Sequence, residues 1–293
     1  MKDSFSAYHP VVNLIFLALV LAFAMIFLHP FCLFVSLGSG LLWSVCLNGR
    51  QVLKTYAFWL LPCMVLSMLL NPAFNHRGQT ILAYLPSNNP LTLESIIYGM
   101  AAAWMLGAVV VWFSCLHAVL TAEKLVYLLG RLLPSFSLVL AMAFRFIPRF
   151  KIQLQEIQIA QQNIGRGIKN GNLLRRLHRA GRILSVMLTW SLENAVDTAD
   201  SMKARGYGLS GRTAYSIFTF TSRDGRALLL ILLLGGVVIG LAAKGFYSFQ
   251  YFPKLDGFTL TWDAFLAWTV YGVFCFLPVI FDIGLGKPWK HIG

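Results

Sequence analysis

The stretch "LENAVDTADSMKARGYG" (192–208) carries residue types suited to recognition. Glu193, Asp197, Asp200 and Ala204 follow helical spacing and form an acidic stripe that runs toward Arg205. Gly206 can take the left-handed conformation that closes a helix, and Gly208 then lets the chain turn. Arg205 falls in the last turn, where its charge complements the helix dipole. Either it only caps that end, or its fork of donors meets a carboxylate or carbonyl on a partner. A second helical run, "IQIAQQNIGRGIKNG" (157–171), also ends in Arg–Gly, at Arg166 and Gly167. Two such ends in one segment suit two docking sites.

Reaction chemistry has no comparable signal. The chain has no G-x-x-x-x-G-K-[ST] loop to cradle phosphates, no H-E-x-x-H and no G-x-S-x-G. Six histidines are scattered, and five cysteines sit in apolar runs without a C-x-x-C pair. The expectation is therefore no catalytic residue, no metal and no cofactor. The cluster "GGVVIG" (235–240) lies in an apolar run without lysine, where it is expected to let helices pack closely. Acids at membrane depth are few: Glu94 and Asp263 near span ends, and Asp282 at the inner edge. An ion-coupled carrier normally places such acids inside the membrane. The chain reads instead as a membrane scaffold that works through partners.

Those helix ends must be positioned by a largely apolar chain. Of 293 residues, 58% are hydrophobic and 12% charged, with a mean hydropathy of +0.69. Soluble domains carry about 25% charged residues. The expected fold is an all-α polytopic membrane protein with about six spans, near 11–28, 31–47, 57–70, 95–120, 227–243 and 262–282. The first run is too long for a signal peptide's apolar core and reads as a retained span. His29–Pro30 reads as a tight hairpin between the first two spans. The third span looks short and is open to extension on either side, and "SFSLVLAMAF" (135–144) reads as a re-entrant or buried helix leading into the basic region.

Charge sets the orientation. With a cytoplasmic N-terminus, the outside segments contain only Arg77, Lys244 and Lys254, leaving 21 of the 24 Lys and Arg inside. Between Arg145 and Arg226 lie 14 Lys or Arg and 5 Asp or Glu. Apolar residues recur there at helical spacing, broken by Gly165, Gly167, Gly171 and Gly181, which predicts two or three cytoplasmic helices. Such amphipathic helices either lie on the inner membrane face or form a platform for a soluble partner. The expected organisation is a membrane region over 1–148, a cytoplasmic coupling region over 149–225 and a second membrane region over 226–293.

Five blocks carry a family resemblance: "YHPVVNL" (8–14), "NPAFNHRGQT" (71–80), "RFIPRF" (145–150), "AQQNIGRG" (160–167) and "ADSMKARGYGLSGRT" (199–213). Together they resemble the transmembrane T component of energy-coupling factor transporters. The resemblance reaches from near the start to about residue 213 and covers the last two spans weakly.

It implies a non-catalytic cell-membrane subunit that links two ATP-binding-cassette ATPases to a membrane-embedded S component binding a vitamin or metal ion. It implies no nucleic-acid partner. Ala204, Arg205 and Gly206 would form one ATPase contact, and Arg166 with Gly167 the other. Arg145, Pro148, Gln161 and Asp200 would support the coupling helices, with Pro148 kinking their approach. The second dock departs from the family pattern, since Gly165 stands where alanine is usual, so its helix is expected to end earlier. Two other readings compete: a conventional permease subunit that forms the substrate path, and a membrane enzyme whose arginines bind lipid or isoprenyl phosphate.

Overall fold

The structure is a computed structural model that describes residues 5–84, 90–132, 134–165, 172–209, 218–257 and 261–284. It is an all-α membrane-type fold built in two units. The first comprises residues 1–125 and 218–293, and the second residues 126–217.

In the first unit, α1 (Pro10–Ile26) and α2 (Pro30–Asn48) begin in the same way. A histidine precedes proline, and its Nδ1 accepts the N–H of the residue after the proline: His9 from Val11, His29 from Phe31, each at 3.3 Å. Proline at the first helical position costs nothing, because that N–H has no intrahelical partner. The "HP" pair is thus both the expected hairpin and a helix start.

The third span extends on both sides of 57–70, as its short apolar run allowed. α3 (Gln51–Thr55), a π-helical turn (Tyr56–Leu60) and α4 (Leu61–Phe74) follow without a gap. Together they give 24 residues, about 36 Å at the usual rise. A small antiparallel hairpin, β1 (Ile81–Tyr84) with β2 (Pro90–Thr92), leads into α5 (Leu93–Val119). After the start of α6 (Ala122–Leu132), the unit resumes with α9 (Ser222–Ala243) and α10 (Trp262–Gly284). α9 starts a turn before its apolar run because Thr221 and Asp224 form a capping box. Among the described residues, five helices are long and apolar enough to cross a membrane, and α1 is a shorter apolar helix.

α5 packs against both α2 and α4, and α2 also against α10. Close approach depends on small residues along α5. A Cβ on Gly99 would stand 2.8 Å from the Met68 carbonyl oxygen, and one on Gly107 2.9 Å from Met64 Sδ. Ala103, between them at four-residue spacing, is buried. This is the small-residue spacing that lets membrane helices touch backbone to backbone. The "GGVVIG" cluster fills that role only at Gly235, whose added Cβ would meet Leu19 at 3.3 Å. Gly236 and Gly240 face open space. The core is aromatic: Phe5, Phe16, Trp43, Trp112 and Phe274 meet edge-on or tilted, and Trp112 Nε1 donates to Ser36 Oγ at 3.1 Å.

The second unit contains α7 (Pro134–Asn163) and α8 (Leu173–Ala204). Ile157, Ile183 and Met187 form a small core with Phe150, and the Phe150 ring meets Trp190 edge-on at 5.6 Å. These pairings run in opposite directions along the two helices, so α7 and α8 are antiparallel. Ser135–Phe144 is not a separate buried helix. It is the opening of the 30-residue α7, and Val139 within it is 62% exposed. α7 stays helical across Pro148, and α8 runs through Gly181 without a break.

Candidate docking site

The end of α8 is closed by two bonds. Gly206 N–H donates to the Lys203 carbonyl at 2.9 Å, and Tyr207 N–H to the Met202 carbonyl at 3.0 Å. Gly206 has φ +80°, the left-handed value that this Schellman closure needs. Arg205 is the residue between helix and turn, with φ −86° and ψ 9°. Its side chain is exposed. Because backbone N–H groups of Gly206 and Tyr207 already meet the Lys203 and Met202 carbonyls, this closure does not use the guanidinium as its cap.

Between the first half of α7 and the end of α8 lies a cleft of about 660 Å³. α7 lines it with Leu138, Met142, Arg145, Phe146 and Arg149. α8 and its turn add Asn194, Asp197, Thr198, Ser201, Met202 and Arg205 to Tyr207. Leu138, Met142 and Met202 are apolar, whereas Arg145, Arg149 and Arg205 bring three positive charges against the one negative charge of Asp197. A surface with this balance attracts acidic groups.

Not every residue expected in the site reaches the cleft. Arg145, Arg205 and Gly206 line it, and Ala204 is the exposed last residue of α8. Pro148 is not among its lining residues. Asp200 is also outside it and pairs at the surface with Lys203 at 3.8 Å, a contact that contributes little. Of the acidic stripe, only Asp197 faces the cleft. Gln161 is half-buried near the end of α7. α7 stops at Asn163, and Gly165 takes φ +73°, so the helix has closed before Arg166. Arg166 and Gly167, with Gly171, lie outside the described residues.

Arg149 is a lining residue that the sequence reading passed over. Its signal was present: Arg145 and Arg149 are four apart and share a helix face. Among the described residues, no group of three or more His, Cys, Asp or Glu stands where it could hold a metal ion.

The family model for CbiQ, described as a cobalt transport protein, matches residues 1–216. The chain belongs to the CbiQ family. The match takes in residues 1–125 of the first unit and all but the last residue of the second. Among curated relatives, an uncharacterized MG181 homolog of Mycoplasma pneumoniae is 30% identical over 178 residues, covering 57% of this chain and 41% of that protein. Two others are named energy-coupling factor transporter transmembrane protein EcfT. The one from Lactobacillus helveticus is 33% identical over 104 residues, 35% of this chain and 38% of its own length. The one from Bacillus selenitireducens is 28% identical over 187 residues, 60% of this chain and 69% of its own. The chain thus spans about two-fifths of the length of the first of these relatives. As a CbiQ-family member with five long apolar helices, it is a multi-pass membrane protein of a transporter family.

Proposed function

We propose that this chain is the transmembrane coupling component of an energy-coupling factor importer. The observation that carries the reading is Arg205, exposed at a closed helix end beside a cleft with net positive lining, in a region matched by the family model. Arg205, flanked by Ala204 and Gly206, docks on one ATPase subunit, and Arg166 with Gly167 docks on the other. The docking region and the N-terminus face the cytoplasm, in keeping with the distribution of Lys and Arg. ATP binding and hydrolysis take place in the partners.

ATP binding draws the ATPases together, and hydrolysis lets them part. The helix ends follow, and the movement passes along the coupling helices to the spans. Those spans hold the S component through apolar surface and tip it, so that its site for a vitamin or metal ion opens to each side in turn. A ligand can bias such a two-state device only through contacts that differ between the states, here those of nucleotide in the ATPases.

The test is co-purification in mild detergent. The unaltered chain should bring down ATPase subunits and a small membrane protein. Arg205→Glu should reduce ATPase recovery at least tenfold while membrane insertion is unchanged. Full recovery with that variant would refute the docking role. Turnover of an isoprenyl phosphate by the purified chain alone would refute the scaffold reading.

A further inference from the structure

The peptide that leads into α1 is tied down at several points, all within the first unit. Phe5 N–H donates to Asp282 Oδ1 at 3.2 Å, and His9 N–H to Asp224 Oδ1 at 2.9 Å. Lys124 Nζ donates to the Ser6 carbonyl at 2.6 Å. Asn13 is fully buried. In the amide orientation that satisfies both neighbours, it donates to the Phe5 carbonyl at 2.9 Å and accepts from Lys124 Nζ at 3.1 Å. The Arg223 guanidinium lies 4.3 Å over the Tyr8 ring. Phe5 itself is fully buried, edge-on to Trp43 at 5.5 Å.

The chain positions of these partners matter. Lys124 lies just before the second unit, which begins at Val126. Asp224 lies shortly after its last residue, Ile217. The segments leading into and out of the second unit are therefore fastened to one short peptide. Both side chains are almost fully buried, at 7% and 5% exposure. Buried charges of this kind rarely stabilise more than apolar residues of the same volume, but they fix geometry through directed hydrogen bonds. The arrangement is costly as packing and specific as a fastening.

We propose that Phe5–Asn13 is a clasp that couples the first-unit segments flanking the second unit to each other and to α1, with Lys124 and Asp224 as its positioning residues. Its consequence for transport rests on the docking reading above: a displacement at either end of the coupling unit would reach α1 through the same peptide. The clasp itself does not depend on that reading.

The experiment is hydrogen exchange on the full chain in lipid nanodiscs, followed in peptides covering 5–13, 122–125 and 221–224. All three should exchange slowly in the unaltered chain. Lys124→Gln should speed exchange at least tenfold at 221–224 as well as around itself. Asp224→Ala should do the same at 122–125. Lys124→Arg, which keeps a charged donor, should restore protection. A merely local structural role would speed exchange only beside each substitution, and that outcome, or no effect at all, would overturn the clasp. Should Lys124→Gln fail to insert, Asn13→Ser offers a milder break in the same link and must show the same cross-effect. ATPase co-purification is measured on the same preparations. Its absence from the unaltered chain would refute the docking reading while leaving the exchange result to decide the clasp.

Discussion

Arg145 on α7 and Arg205 at the end of α8 line one cleft, though far apart in the chain. Two helices laid antiparallel by the Phe150–Trp190 and Ile157–Met187 contacts bring them there. A helix end that local sequence presents as a single arginine is therefore part of a three-arginine surface.

Arg149 lines that surface and Asp200 does not. Arg149→Glu should weaken ATPase association about tenfold or more, the scale of one charge-assisted contact of roughly 1.5–3 kcal/mol. Asp200→Lys should leave association within a factor of two (~0.4 kcal/mol), because its pair with Lys203 is exposed. Titration of purified ATPases onto the chain in nanodiscs checks both.

Gly206→Ala places a Cβ on a residue at φ +80°. The strain is roughly 1–2 kcal/mol and falls on the turn that holds Arg205 in place. Amide exchange at Gly206 and Tyr207 should accelerate about tenfold, and ATPase binding should weaken while the Arg205 charge is kept. Exchange and pull-down measured together separate this from loss of the guanidinium.

Gly99→Ala should destabilise the fold by about 1–3 kcal/mol, since its Cβ would press within 2.8 Å of the Met68 carbonyl oxygen. Gly236→Ala, with nothing within 4 Å, should be neutral or stabilising by roughly 0.5–1 kcal/mol. Thermal unfolding in detergent compares the two directly.

His29 is fully buried, and its Nδ1 accepts the Phe31 N–H, which requires the neutral ring. Burial holds its pKa below 6.5. As pH falls, the unfolded chain takes up the proton first. Stability is therefore full above about pH 6.5 and declines below it. The unfolding midpoint should drop as the pH falls below about 6.5. His29→Asn, which keeps a capping acceptor without titrating, should flatten that part of the curve.

The sequence by itself determined what depends on neighbours within a few residues. Apolar runs of membrane length required helices, and among the described residues five long ones and α1 overlap the six expected spans, with the third extended on both sides. The closure of α8 was legible in "ARGYG", because only glycine takes the left-handed turn at no steric cost. Tertiary structure decided what depends on facing. Each residue turns a helix by about 100°, so the rotation of α8 against α7 selected Asp197 for the cleft and left Asp200 outside. No local pattern marks Gly99 rather than Gly236 as the point of contact, since that depends on where α4 lies. Lys124 carries no motif, and neither the capping-box place of Asp224 nor the place of Asn13 in "YHPVVNL" marks the peptide before α1 as their common partner. Lys124 and Asp224 reach the peptide before α1 because chain segments more than a hundred residues away from it fold onto it.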